Sequence, residues 1–285
     1  MIKLVLLAAL SAAPLFTAGP VETVAEGFVF TEGPLWWKGT LYFSDIPADT
    51  IYTPDKQVFR KPSGQSNGLT LDREGRLLAA EHQGRRVSRT EADGRITVIA
   101  DRFEGKRLNS PNDVIVRKDG MVFFTDPPYG LAGGLEGDEA ELDFAGVFAV
   151  MPGSPAVALA RDFKKPNGLA LSMDEKTLYV ADSEVGHLRA FDVAADGTLS
   201  NGRVFCEMPG PDGIKVDLEG KIWATGGDGV RLIDPKGALL QTLEMPMKPT
   251  NCGFGGADGK TLYVTARKTV HKVALTVAGP LPGAP

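Results

Sequence analysis

The sequence predicts an all-β fold: a six-bladed propeller of four-stranded blades, with the ring closed by an N-terminal strand. Three observations predict it. A polar residue leading a short apolar strand recurs six times, at Glu32, Asn67, Asn112, Asn167, Asp212 and Asn251, with successive leaders 35 to 55 positions apart. That period marks a radial or stacked array. A turn rich in Asp, Glu and Gly follows several of these strands, as in Asp72-Arg73-Glu74-Gly75, and a second strand then runs back. The glycines and prolines are dispersed along the chain, which suits a turn-rich β protein.

The elements follow in order. Lys3 and the apolar run over residues 4–16 read as an export signal ending near residue 19, which implies a periplasmic or secreted protein. No cysteine follows that run, so a lipid anchor is not indicated. Residues 20–278 form the propeller. Residues 21–25 have no repeat of their own and are assigned to the outer strand of the last blade, closing the ring. Second strands are expected at 41–44, 77–80, 121–125, 178–181, 222–225 and 262–265. Third and fourth strands follow, as at 86–89 with 96–100 and 188–192 with 203–207. The longest insertion, 127–144, leaves the end of a second strand and should cover one face of the ring. The Gly/Pro-rich tail 279–285 is expected to be disordered. Cys206 and Cys252 read as small buried hydrophobes, not as a disulfide.

In a hairpin, the start of the first strand and the end of the second share one edge. If the first strands are innermost, all six leaders ring the axis on one face. The second-strand ends at Asp45, His82, Asp126, Asp182, Asp228 and Arg267 stand around them. Glu32 and Asp212 supply two carboxylates, and Asn112 and Asn167 supply two neutral carbonyl oxygens. That set matches one divalent hard cation. Ca²⁺ is favoured, because Mg²⁺ demands a tighter octahedron and Zn²⁺ prefers His and Cys; Zn²⁺, Mg²⁺ and Mn²⁺ are the other candidates. Asn67 and Asn251 read as rim or hydrogen-bonding residues, and Asp45 and Asp182 as groups that orient neighbouring amides. His82 is either structural or a proton shuttle, and Asp126 caps a turn or touches substrate. A net charge of −5 with no basic stripe excludes nucleic acid as a partner. No Gly-rich phosphate loop is present.

Glu32-Gly33-Pro34, Ser110-Pro111-Asn112-Asp113-Val114, Pro166-Asn167-Gly168-Leu169 and Pro211-Asp212-Gly213 resemble the gluconolactonase–regucalcin family of six-bladed propellers. The stretches Glu81-His82-Gln83-Gly84-Arg85-Arg86-Val87 and Thr125-Asp126-Pro127-Pro128-Tyr129-Gly130 resemble its bacterial gluconolactonase branch. The resemblance implies metal binding by Glu32, Asn167 and Asp212, with Asn112 near both metal and substrate. Ser110 departs from the arginine that the regucalcin branch places there for substrate contact.

The function so implied is a calcium-dependent lactonase acting on gluconolactone-like sugar lactones. Asp212 is the catalytic candidate, as base, nucleophile or ligand; His82, Asp126 and Arg267 join Asn112 as substrate-binding candidates. The partner expected is a small-molecule lactone, with no membrane contact once the signal is removed; the oligomeric state is left open. Two rival readings remain. One is an arylesterase or organophosphate hydrolase on the same scaffold, the other a non-catalytic binding propeller pinned by calcium.

Overall fold

A computed structural model describes residues 16–227 and 229–283. Most of the expected export segment, Asp228 and the last two residues of the tail lie outside the described residues. Four sheets carry four antiparallel strands each. They begin with Ser66–Leu71, Val114–Val116, Pro166–Leu171 and Pro211–Val216 and continue in chain order. In each, the leader strand pairs with the expected second strand, as in Leu69 with Ala79 and Leu169 with Val180.

The expectation of six separate blades is corrected. Among the described residues the propeller is built of five sheets, and a separate two-stranded ribbon pairs Arg102–Phe103 with Lys106–Arg107. The fifth has six strands, in the order Asn251–Gly255, Thr261–Ala274, Glu22–Trp37, Thr40–Asp45, Thr50–Tyr52 and Val58–Arg60. The last and first repeats therefore share one sheet. The physical reason is continuity of two long strands. Residues 21–25 do not make an independent strand: most of them run directly into the Glu32 leader within Glu22–Trp37. That strand pairs with Thr261–Ala274 from Glu22 opposite Lys272 to Thr31 opposite Arg267. A register shift between Glu26 and Thr31, with Arg267 at φ 53°, turns the corner without breaking the sheet.

The leaders do not sit in turns, which is the usual role of an Asn-Gly or Asp-Gly pair. All but Asn112, which lies two residues before the strand Val114–Val116, sit in strands, and the glycine that follows four of them allows neighbouring repeats to approach closely. A Cβ on Gly168 would lie 2.4 Å from the Asp212 carbonyl oxygen. One on Gly33, at φ 54°, would lie 2.2 Å from the Asn67 carbonyl oxygen. Buried hydroxyls stitch two leaders, and the residue before a third, to the preceding repeat. Ser44 Oγ donates to Asn67 O at 2.9 Å, Thr125 Oγ1 to Asn167 O at 2.7 Å and Thr250 Oγ1 to Thr31 O at 2.8 Å. These bonds tie neighbouring repeats together beside the leaders.

Apolar side chains fill the gaps between sheets. Trp223 packs with Phe254 and Leu262, and its Nε1–H donates to Asp217 Oδ2 at 3.0 Å, so the ring buries no unpaired donor. Phe16 packs on the same cluster, and Thr17 bridges Leu275. Cys206 and Cys252 are both free.

Candidate active site

The leader face holds a cavity of about 340 Å³. Asn67, Asn167 and Asp212 line it from the starts of their strands, Asn112 from just before Val114–Val116, Glu32 from within the long strand Glu22–Trp37, and His82 from just past the second strand Leu77–Glu81. Convergence follows from the repeat: each leader occupies the same place in its own sheet. Asn251, the sixth leader, is not in the wall. It is buried, its Oδ1 accepts from the Cys252 N–H at 2.8 Å, and its amide touches the Glu32 and Asp113 carboxylates.

The electrostatics are dominated by buried acids. Burial holds the Glu32 carboxyl well above the usual carboxylate range, and the charge of Asp212 adds to the effect; the Gly33 N–H, 2.9 Å from Glu32 Oε2, opposes it. Burial likewise pushes Asp212 up to about 7, against the opposing pull of Lys248 and a hydrogen bond from Asn167. Asp113, buried beside Asn112, is raised by burial and repels both acids; Lys215 Nζ is 3.8 Å from its carboxylate. Two acids that resist ionisation next to each other are a poor arrangement for an empty site and a good one for a divalent cation.

The donor set fits a hard ion. Among the described residues, no three of His, Cys, Asp and Glu gather as a ligand group. A site here would therefore mix two carboxylates with carboxamide oxygens, the chemistry of Ca²⁺ and not of Zn²⁺. The only imidazole in the wall is committed elsewhere: Asn67 Nδ2–H donates to His82 Nε2 at 3.2 Å. Burial lowers His82 to about 4, so the ring is neutral at ordinary pH. Its Nε2 faces the Asn67 amide, which argues against His82 as the base for an attacking water.

Other expected residues are placed elsewhere. Asp126 is fully buried outside the cavity wall. Its Oδ2 accepts from the Asn109 N–H at 2.8 Å, and burial pushes it up to about 7. Arg267 is exposed, at the corner between the long strands. Asp45 accepts from the Val29 and Phe30 N–H groups, and Asp182 from those of Lys164 and Lys165. These acids hold backbone that would otherwise be unpaired.

Three polar wall residues went unmarked in the sequence: Tyr129, Ser183 and Lys248. Ser183 follows Asp182, so extending the second-strand ends by one residue would have found it. Its Oγ takes a hydrogen bond from Asn167 Nδ2 at 3.0 Å and donates to Pro211 O at 2.5 Å, bracing two metal-ligand candidates. Tyr129 comes from the 127–144 insertion. Its phenol is in hydrogen-bonding reach of Ser183 and Asn167, and partial burial raises it, so it stays protonated and able to donate. The rest of the insertion is tied down. Arg85 Nη1 donates to Glu139 O at 2.8 Å, the Arg107 N–H to Glu141 Oε2 at 2.7 Å, and Leu142 is buried in the core.

The chain is also similar to known proteins. Residues 30–268 match the SMP-30/Gluconolactonase/LRE-like region. A gluconolactonase of Zymomonas mobilis is 33% identical, the alignment covering 91% of this chain and 82% of that one. A pentonolactonase of Haloferax volcanii is 32% identical, with 82% and 80% covered. The solved structure of a gluconolactonase from Xanthomonas campestris superposes with a TM-score of 0.82 at 35% identity, covering 90% of this chain and 89% of that one. The chain described here is a member of the SMP-30/gluconolactonase/LRE-like family.

Proposed function

We propose that this protein is a calcium-dependent lactonase that hydrolyses sugar lactones of the gluconolactone kind. The observation that carries the reading is the juxtaposition of Glu32 and Asp212 in one polar cavity, with Asn112 and Asn167 in the same wall. The gluconolactonase and pentonolactonase relatives support the substrate class. Glu32, Asn167 and Asp212 would hold the cation, with Asn112 beside it. Calcium, when bound, would supply positive charge for the lactone carbonyl oxygen as negative charge develops there.

The chain's own residues do the remainder. Asp212 orients the attacking water and accepts its proton; the neutral His82 does not compete for that role. Tyr129 offers a phenolic O–H at the mouth, and Lys248 brings positive charge towards Asp212. Nine of the twelve wall residues carry a polar side chain, with Phe30 and Ile46 as the large apolar members, which supplies hydrogen-bonding partners for a hydroxylated ring. The test is acid release from a panel of sugar and aliphatic lactones, before and after chelation and calcium restoration. No turnover of any lactone, or turnover indifferent to thorough chelation, would sink the reading.

A further inference from the structure

We infer that Asn67, held in place by His82, is a specificity-determining residue whose carboxamide oxygen accepts a hydrogen bond from a ring hydroxyl of the substrate. The inference rests on the lactonase reading and goes beyond it by naming which wall residue recognises hydroxyl groups. Asn67 belongs to the strand Ser66–Leu71, and its backbone carbonyl is pinned by Ser44 Oγ. The side chain is 3% exposed and borders the cavity. Its Nδ2–H donates to His82 Nε2, while its Oδ1 is buried with no hydrogen-bond partner.

An amide that spends its N–H on a fixed acceptor cannot rotate to hide its oxygen. His82 is such an acceptor. Its backbone N–H donates to the Gln65 carbonyl at 3.1 Å, and Gly130 packs so closely that a Cβ there would lie 3.0 Å from the His82 Cβ. The ring is neutral and buried, so it presents a lone pair to Asn67. A buried carbonyl oxygen left unpaired is unfavourable until a donor arrives. Asn67 and His82 carry no net charge, so the pair gives no attraction to a substrate anion. A neutral acceptor at the wall of a polar cavity is matched by an O–H donor, which polyol lactones carry and unsubstituted lactones lack. A site built around such a bond rejects the analogue that cannot make it.

The experiment compares kcat/KM for glucono-1,5-lactone with that for δ-valerolactone, its hydroxyl-free counterpart, in wild type and in Asn67→Leu. Asn67→Ser is carried as a second variant should the leucine not fold. Binding of D-gluconate against pentanoate, and of calcium alone, is measured by calorimetry on the same proteins. The preference for the hydroxylated ligand should fall about tenfold or more in the variant, with calcium affinity unchanged. An unchanged preference, or an equal loss on both ligands, would overturn the assignment. Loss of calcium affinity would also overturn it, by making Asn67 a cation ligand. If wild type turns over neither lactone, the lactonase reading fails, and the gluconate-to-pentanoate binding ratio decides the role of Asn67 on its own.

Discussion

Calcium binding should expel a proton, and the structure sets the pH range in which it does so. In the absence of a cation, burial pushes the Asp212 carboxyl up to about 7 and holds Glu32 well above the usual carboxylate range. Below pH 7 a cation must displace a proton from Asp212 to bind it. At pH 5 that competition alone weakens apparent affinity about a hundredfold relative to pH 9, or roughly 2.7 kcal/mol. Glu32 adds in the same direction. The stability linkage has a definite sign. A carboxyl raised on folding stabilises the cation-free protein most in acid, and that contribution is lost as pH rises through about 7. Calcium opposes the loss by binding the ionised form. Titration calorimetry in two buffers of different ionisation heat, at pH 6 and pH 8, reads the proton count directly. At pH 6 about one proton or more should leave per calcium, and fewer at pH 8. An affinity flat from pH 5 to pH 9, with no proton released, would refute the idea that these two acids hold the ion.

Four further outcomes are expected. Asp212→Asn keeps the shape and an oxygen ligand but removes charge and basicity. It should retain a native circular dichroism spectrum and lose more than about tenfold in kcat/KM, or roughly 1.4 kcal/mol of transition-state stabilisation, and a smaller loss would remove Asp212 from the chemistry. Asp126→Asn should gain stability relative to wild type as pH rises. Burial takes Asp126 from 3.8 to about 7, so between pH 5 and pH 8 urea unfolding should show the gap widening by about 3 kcal/mol; a constant gap would mean Asp126 is not strained by ionisation. Gly168→Ala drives a Cβ into the Asp212 carbonyl oxygen, so it should cost about 1–3 kcal/mol of stability and weaken calcium binding, both readable by titrating calcium during thermal unfolding. Shortening the insertion across residues 132–141 removes the Glu139 and Glu141 anchors but no leader. KM and lactone ranking should then change with calcium affinity nearly intact, whereas an unchanged ranking would give the loop no part in recognition.

The leader residues of this site were legible in the sequence because they repeat. A residue that holds the same place in successive antiparallel units is carried to the same edge of each sheet, so Glu32, Asn67, Asn112, Asn167 and Asp212 converge without any knowledge of the loops. The strand pairings were legible for the same reason, since period-two burial and Gly-containing turns set them locally. Four things were decided only by the tertiary structure. The number of sheets was one: the two long strands Glu22–Trp37 and Thr261–Ala274 stay continuous through a corner, and no local signal distinguishes a bent strand from two strands. The fate of the second-strand ends was another. His82 reaches the cavity, while Asp126 turns to the Asn109 backbone and Arg267 to solvent, because the direction of a strand's last side chain depends on what packs against it. The third was the contribution of Tyr129 and Lys248, which come from segments whose path is set by long-range anchors and not by periodicity. The role of the glycines also belongs here. Asn-Gly reads as a turn in one dimension, and only the approach of Gly168 to Asp212 in three dimensions shows that the missing side chain makes room for the site itself.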